Sequence, residues 1–74
     1  MQGLISYKGE LFAYRQGYQL FTLEDEPAGV IEGEFILDLS GQRKWRLIGD
    51  GVYTLDGLES IGYFGAPRPE HLND

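Results

Sequence analysis

Seven glycines stand on one eight-residue ladder: Gly9, Gly17, Gly33, Gly41, Gly49, Gly57 and Gly65. The empty rung is Asp25, and Asp is one of the few other residues that tolerates positive φ. A step of this length fits a strand of five or six residues followed by a tight turn. The ladder therefore predicts a chain of short strands with essentially no helix.

Alternate rungs differ, which doubles the period to 16. Framed from Gly3, the copies are GLISYKGELFAYRQGY, QLFTLEDEPAGVIEGE, FILDLSGQRKWRLIGD and GVYTLDGLESIGYFGA, without gap or insertion. Their second column is Leu4, Leu20, Ile36 and Val52, their third Ile5, Phe21, Leu37 and Tyr53, and their fifth Tyr7, Leu23, Leu39 and Leu55. The fourth is polar: Ser6, Thr22, Asp38 and Thr54. A polar residue between two apolar ones has the two-residue period of a half-buried strand. Each such strand leads to a turn at Gly9, Asp25, Gly41 or Gly57. Asp56-Gly57 predicts a type I′ turn, which needs positive φ at both central residues. A second strand follows near Leu11 to Arg15, Ala28 to Glu32, Lys44 to Ile48 and Ser60 to Phe64. Pro27 falls at a strand start, where a missing N–H is tolerated.

The expected fold is all-β: four tandem hairpins, hence eight short antiparallel strands, in a pseudo-four-fold closed arrangement. Closure sets the first strand (Leu4 to Tyr7) beside the last (Ile61 to Phe64) and removes two aggregation-prone edges. Residues 3–66 form the domain, and the Pro-containing residues 67–74 read as a loose tail.

A 74-residue chain buries a modest core, and small domains usually add a disulfide, a metal or a partner subunit. There is no cysteine, and the single histidine, His71, rules out a Cys/His zinc site. Partner subunits are the support left, so a homo-oligomer or a partner protein is expected, with no cofactor. The N-terminal residues lack the basic and apolar regions of a secretory signal, and no run approaches the roughly 18 apolar residues of a membrane span. The expected location is the cytoplasm. A net charge of −6 disfavours non-specific binding to nucleic acid or anionic membrane.

The segments Val52-Tyr53-Thr54-Leu55-Asp56-Gly57 and Ile61-Gly62-Tyr63-Phe64 resemble the four-fold β-flower domain family, as do their echoes Leu20 to Leu23 and Ile36 to Gly41. The resemblance spans residues 3–66 and implies a small bacterial protein with four hairpin petals around an axis. It carries over no catalytic or ligand residue. Asp25 departs from the glycine pattern of that turn. Choline- and glucan-binding cell-wall repeats are also aromatic hairpins with glycine turns, but their aromatics recur in fixed columns and these do not.

Candidate chemistry is sparse. Ser6, Ser40 and Ser60 have no nearby histidine in sequence, and Ser6 and Ser40 fit strand and turn roles. Glu24-Asp25-Glu26 with Glu32 and Glu34 gathers five acids in one hairpin, without the ligand spacing of a calcium loop. Arg43-Lys44-Trp45-Arg46 is the most asymmetric segment: three of the six bases beside the only tryptophan. Trp45 aligns with Ala13, Gly29 and Ile61 in the other copies. One reading is core volume filled by the indole, with Lys and Arg stems over it. Another is a protein interface, since Trp and Arg dominate hot spots. A third, nucleic acid, runs against the net charge. Tyr7, Tyr14, Tyr18, Tyr53 and Tyr63 read as strand residues with exposed hydroxyls. The function these features favour is a non-enzymatic interaction or self-assembly module. The alternative is a small-ligand or carbohydrate-binding module using the hairpin aromatics.

Overall fold

The computed structural model describes residues 1–65, so the expected tail lies outside the described residues. Eight strands follow in order: β1 (Gln2–Ser6), β2 (Leu11–Gln16), β3 (Gln19–Phe21), β4 (Pro27–Glu32), β5 (Phe35–Leu37), β6 (Arg43–Ile48), β7 (Gly51–Tyr53) and β8 (Ser60–Phe64). Each pairs antiparallel with the next, and β8 pairs with β1 through Leu4↔Phe64, Ile5↔Tyr63 and Ser6↔Gly62. The sheet is a closed, all-β barrel with no free edge.

Two kinds of turn alternate between the ends of the barrel. At one end, Gln16↔Gln19, Glu32↔Phe35 and Ile48↔Gly51 flank two-residue loops that begin with Gly17, Gly33 and Gly49. These glycines have φ of 62, 63 and 60°, while the residues after them do not have positive φ. Positive φ at the first central residue only is the type II′ turn, whose twist matches that of the strands.

The other end carries the long turns, and here two expectations need correction. In the first three hairpins the Ser6, Thr22 and Asp38 carbonyls accept from the N–H of Gly9, Asp25 and Gly41, three residues on. Only that third loop residue has positive φ, at 87, 67 and 91°. This is a type I turn closed by one left-handed residue, and Asp25 adopts the glycine conformation. At Asp56-Gly57 the Thr54 carbonyl accepts from Gly57, and Gly57 alone has positive φ, so the turn is not type I′. The loop therefore begins one residue earlier than the sequence suggests. Tyr7, Leu23, Leu39 and Leu55 sit in turns and face solvent rather than continuing a strand. This is why β3, β5 and β7 have three residues each.

The polar fourth column ties these turns down. Ser6 Oγ accepts from the N–H of Lys8 and Glu10, and Thr22 Oγ1 from those of Glu24 and Glu26. Asp38 Oδ1 accepts from the N–H of Ser40 and Gln42 and from the Ser40 hydroxyl at 2.6 Å. Such local side-chain acceptors satisfy loop donors that would otherwise depend on water.

The second column forms the centre of the core. Leu4, Leu20, Ile36 and Val52 are 0, 4, 1 and 0% exposed, and each pairs with inward residues on both neighbouring strands. Burying side chains of this size stabilises the fold by about 1.5–3 kcal/mol each. Phe64 and Ile31 close the short-turn end, with Leu47 packed against the cluster. The Arg15 guanidinium lies 5.0 Å from the Phe64 ring centroid, and its Nε donates to the Gly17 carbonyl. The third column faces outward in cross-strand pairs, among them Ile5↔Tyr63, Tyr14↔Phe21 and Val30↔Leu37.

The fourth hairpin breaks the symmetry without breaking the sequence period. Its Thr54 N–H bonds the Glu59 carbonyl, whereas Ser6, Thr22 and Asp38 each reach four residues ahead. One extra loop residue shifts β8 by one, and its bulge falls at Ile61 where the other copies bulge at Phe12, Ala28 and Lys44. The partner of Val52 is thus Gly62, so Trp45 corresponds to Gly62 and not to Ile61. Gly65, on the ladder in sequence, lacks positive φ and donates to the Gly3 carbonyl to complete the closure.

Candidate interaction surface at the long-turn end

The long-turn end is open where the short-turn end is plugged. Leu4, Leu20 and Ile36 form its floor, with Ala13 and Ala28 beside them, and Phe12 and Trp45 form its walls. The two rings meet edge to face, with centroids 6.2 Å apart and planes at 86°. Phe12 is a bulge residue, and the bulge is what turns its side chain toward the barrel mouth. The resulting pocket has a volume of about 180 Å³, with Thr22 and Lys44 as its polar members. An apolar cavity of about 150 Å³ is enough for benzene, so this one fits a single ring or branched side chain. Two larger clefts, of about 290 and 330 Å³, flank the short turns, but they are more open and mix charged with apolar lining residues.

The structure divides the basic segment. Lys44 Nζ lies 4.6 Å from the Trp45 ring centroid, at the mouth of the pocket. Arg43 and Arg46 point to the outer face, their guanidinium carbons 4.1 and 5.8 Å from the Phe35 ring centroid. Arg46 also pairs with Glu34 at 3.4 Å. The four residues thus serve two surfaces. Trp45 is half-buried against the core, and of the three bases in its segment Lys44 is the one that lies over its ring. The five clustered acids separate in the same way. Glu24, Asp25 and Glu26 occupy a long turn, while Glu32 ends β4 and Glu34 lies in the short turn after it, at the other end.

The displaced fifth-column residues occupy the turns at this same end of the barrel. Tyr7 is 69% exposed, Leu23 49%, Leu39 69% and Leu55 43%, and the extra loop residue Leu58 is 82% exposed. Every long turn presents a large apolar side chain, although nothing in a type I turn requires one. The repeat makes these residues visible in sequence, but only the turn geometry shows that they face solvent.

Two carboxylates are fixed among them. The Ser40 hydroxyl and the Gln42 N–H hold Asp38 below the usual carboxylate range, and the Thr54 hydroxyl and Leu58 N–H do the same for Asp56. Both therefore stay ionised through mild acid. Among the described residues no helix is long and apolar enough to cross a membrane. Comparison of the chain with protein-family models, curated proteins and solved structures finds no match.

Proposed function

We propose that this chain is a non-enzymatic interaction module that docks on a partner protein through its long-turn end, and that it works in the cytoplasm. The observation that carries this reading is that the exposed turn residues Tyr7, Leu23, Leu39 and Leu55 share one end of the barrel with a pocket walled by Phe12 and Trp45. Interface centres are built this way, from an aromatic-lined pocket within a wider apolar surround. The closed sheet of four hairpins also supports kinship with the β-flower family, as a structural module. A photo-crosslinking residue at Leu39 tests the reading, with one at exposed Glu32 as control. Adducts at Leu39 and none at Glu32 are expected in the cell, and equal yields at both sites would overturn the assignment of the surface.

The same pocket favours a second reading, a small-ligand module. Its volume accommodates one ring against Phe12 and Trp45, and quenching of Trp45 by a small aromatic compound, saturable and lost in Phe12→Ala, is the outcome that reading requires.

A further inference from the structure

Resting on the docking reading, we infer that the partner is a basic segment carrying apolar anchor residues, one of which enters the Phe12–Trp45 pocket. The argument is the charge of the end that presents these apolar turn residues. The four long turns hold Glu10, the Glu24-Asp25-Glu26 run, Asp38, Asp56 and Glu59, which is seven of the twelve acids. Their only base is Lys8. Arg43 and Lys44 begin β6 nearby, but Arg43 is stacked on Phe35 at the outer face and Lys44 lies over Trp45. Even counting both, this end carries seven acids against three bases among the described residues. The three short turns hold only Glu34 and Asp50, and Glu34 is paired with Arg46.

That imbalance selects among occupants. Two long-turn ends meeting face to face would set each acidic ring against the other, and like-charge juxtaposition costs several kcal/mol. A second copy is therefore disfavoured at this surface. An anionic ligand or membrane meets the same repulsion. A lysine- or arginine-rich segment gains from the field on approach, because complementary charge raises association rates and fixes orientation. Its apolar residues then cover Leu23, Leu39 and Leu55, and one of them fills the pocket between Phe12 and Trp45. The hydrogen bonds to Asp38 and Asp56 favour the charged forms of these two rim acids.

The test is titration of the whole chain with a short tryptophan-free peptide of lysine, leucine and one phenylalanine, read by Trp45 fluorescence. A peptide with glutamate for every lysine is the control. Saturable binding of the lysine peptide is expected, weakening as salt rises, with the glutamate peptide at least tenfold weaker. The double variant Leu39→Ser/Leu55→Ser should lose about tenfold in affinity, or 1.4 kcal/mol. Ile48→Ser, at the short-turn end and 53% exposed, should lose none. Equal response to both peptides, response to neither, or equal loss in the two variants would overturn the partner chemistry. Persistence of the Leu39 crosslink in such a case would leave the docking reading standing, and its absence would remove both.

Discussion

Gly62→Ala is the substitution on which the closure of the barrel turns. Gly62 is buried on β8, paired with Val52 on one side and Ser6 on the other. A Cβ there would fall inside the contact distance of the Ile5 carbonyl oxygen, and also within 3.0 Å of the Ile5 carbonyl carbon and 3.1 Å of the Ser6 Cα. These are backbone atoms of β1, so no rotamer change relieves the overlap; β8 must move away from β1. Overpacking of this kind costs about 1–3 kcal/mol. A ladder hydrogen bond stretched beyond use adds about 1 kcal/mol. The total, about 2–4 kcal/mol, is most of what a core of this size supplies, which is roughly 3–5 kcal/mol. The comparison is Gly57→Ala. Gly57 has φ of 77° with nothing within 4 Å of its Cβ position, so its cost is the left-handed conformation alone, about 1–2 kcal/mol. Urea titration followed by Trp45 fluorescence and by circular dichroism measures both. Gly62→Ala should lose most of its stability and unfold at the start of the urea titration, and Gly57→Ala should unfold at a midpoint between that and the parent's. A Gly62→Ala protein as stable as the parent, or more stable than Gly57→Ala, refutes the packing of β8 on β1.

The other expectations are simpler. Asp25→Gly removes the one non-glycine residue with positive φ among the described residues and should stabilise by up to about 1 kcal/mol, seen as a melting midpoint about 4–8 °C higher; a lower midpoint contradicts the turn assignment. Asp38 has its folded pKa lowered, so its contribution is present above the unfolded value near 3.8 and is lost as pH falls through the folded one. Asp38→Asn should therefore flatten the fall in urea midpoint between pH 5 and pH 2, and an unchanged profile would show that the Ser40 and Gln42 bonds do not matter. Val52→Ala opens space at a fully buried site and should cost at least about 1 kcal/mol, while Leu58→Ala, 82% exposed, should stay within about 0.5 kcal/mol in the same titration.

The glycine ladder, the 16-residue period and the apolar second column made the closed sheet legible, because turn chemistry and inward packing leave direct marks on residue type. Turn type was less legible. Gly9 and Gly57 require left-handed φ in a type I′ turn and in a type I turn with one left-handed residue, and only the hydrogen bonds distinguish the two. That ambiguity moved Tyr7, Leu23, Leu39 and Leu55 from strand to turn, and with them the surface that carries the functional reading. The shifted register at Ile61 and Gly62 left no trace in the sequence, since a residue added in the last loop is absorbed by the β1–β8 pairing, and the period stays intact. The Arg43 to Arg46 segment showed its composition but not its division between two surfaces, because the bulge at Lys44 decides which side chain meets which ring.

The docking surface is tested most directly by amide and indole chemical shifts of the labelled protein during titration with the lysine–leucine–phenylalanine peptide. The expected result is saturable shifts confined to the long turns, the bulges at Phe12, Ala28 and Lys44, and the Trp45 indole, with Gly17, Gly33 and Gly49 unmoved. Shifts centred on those three short-turn glycines, with the Trp45 indole silent, would contradict it.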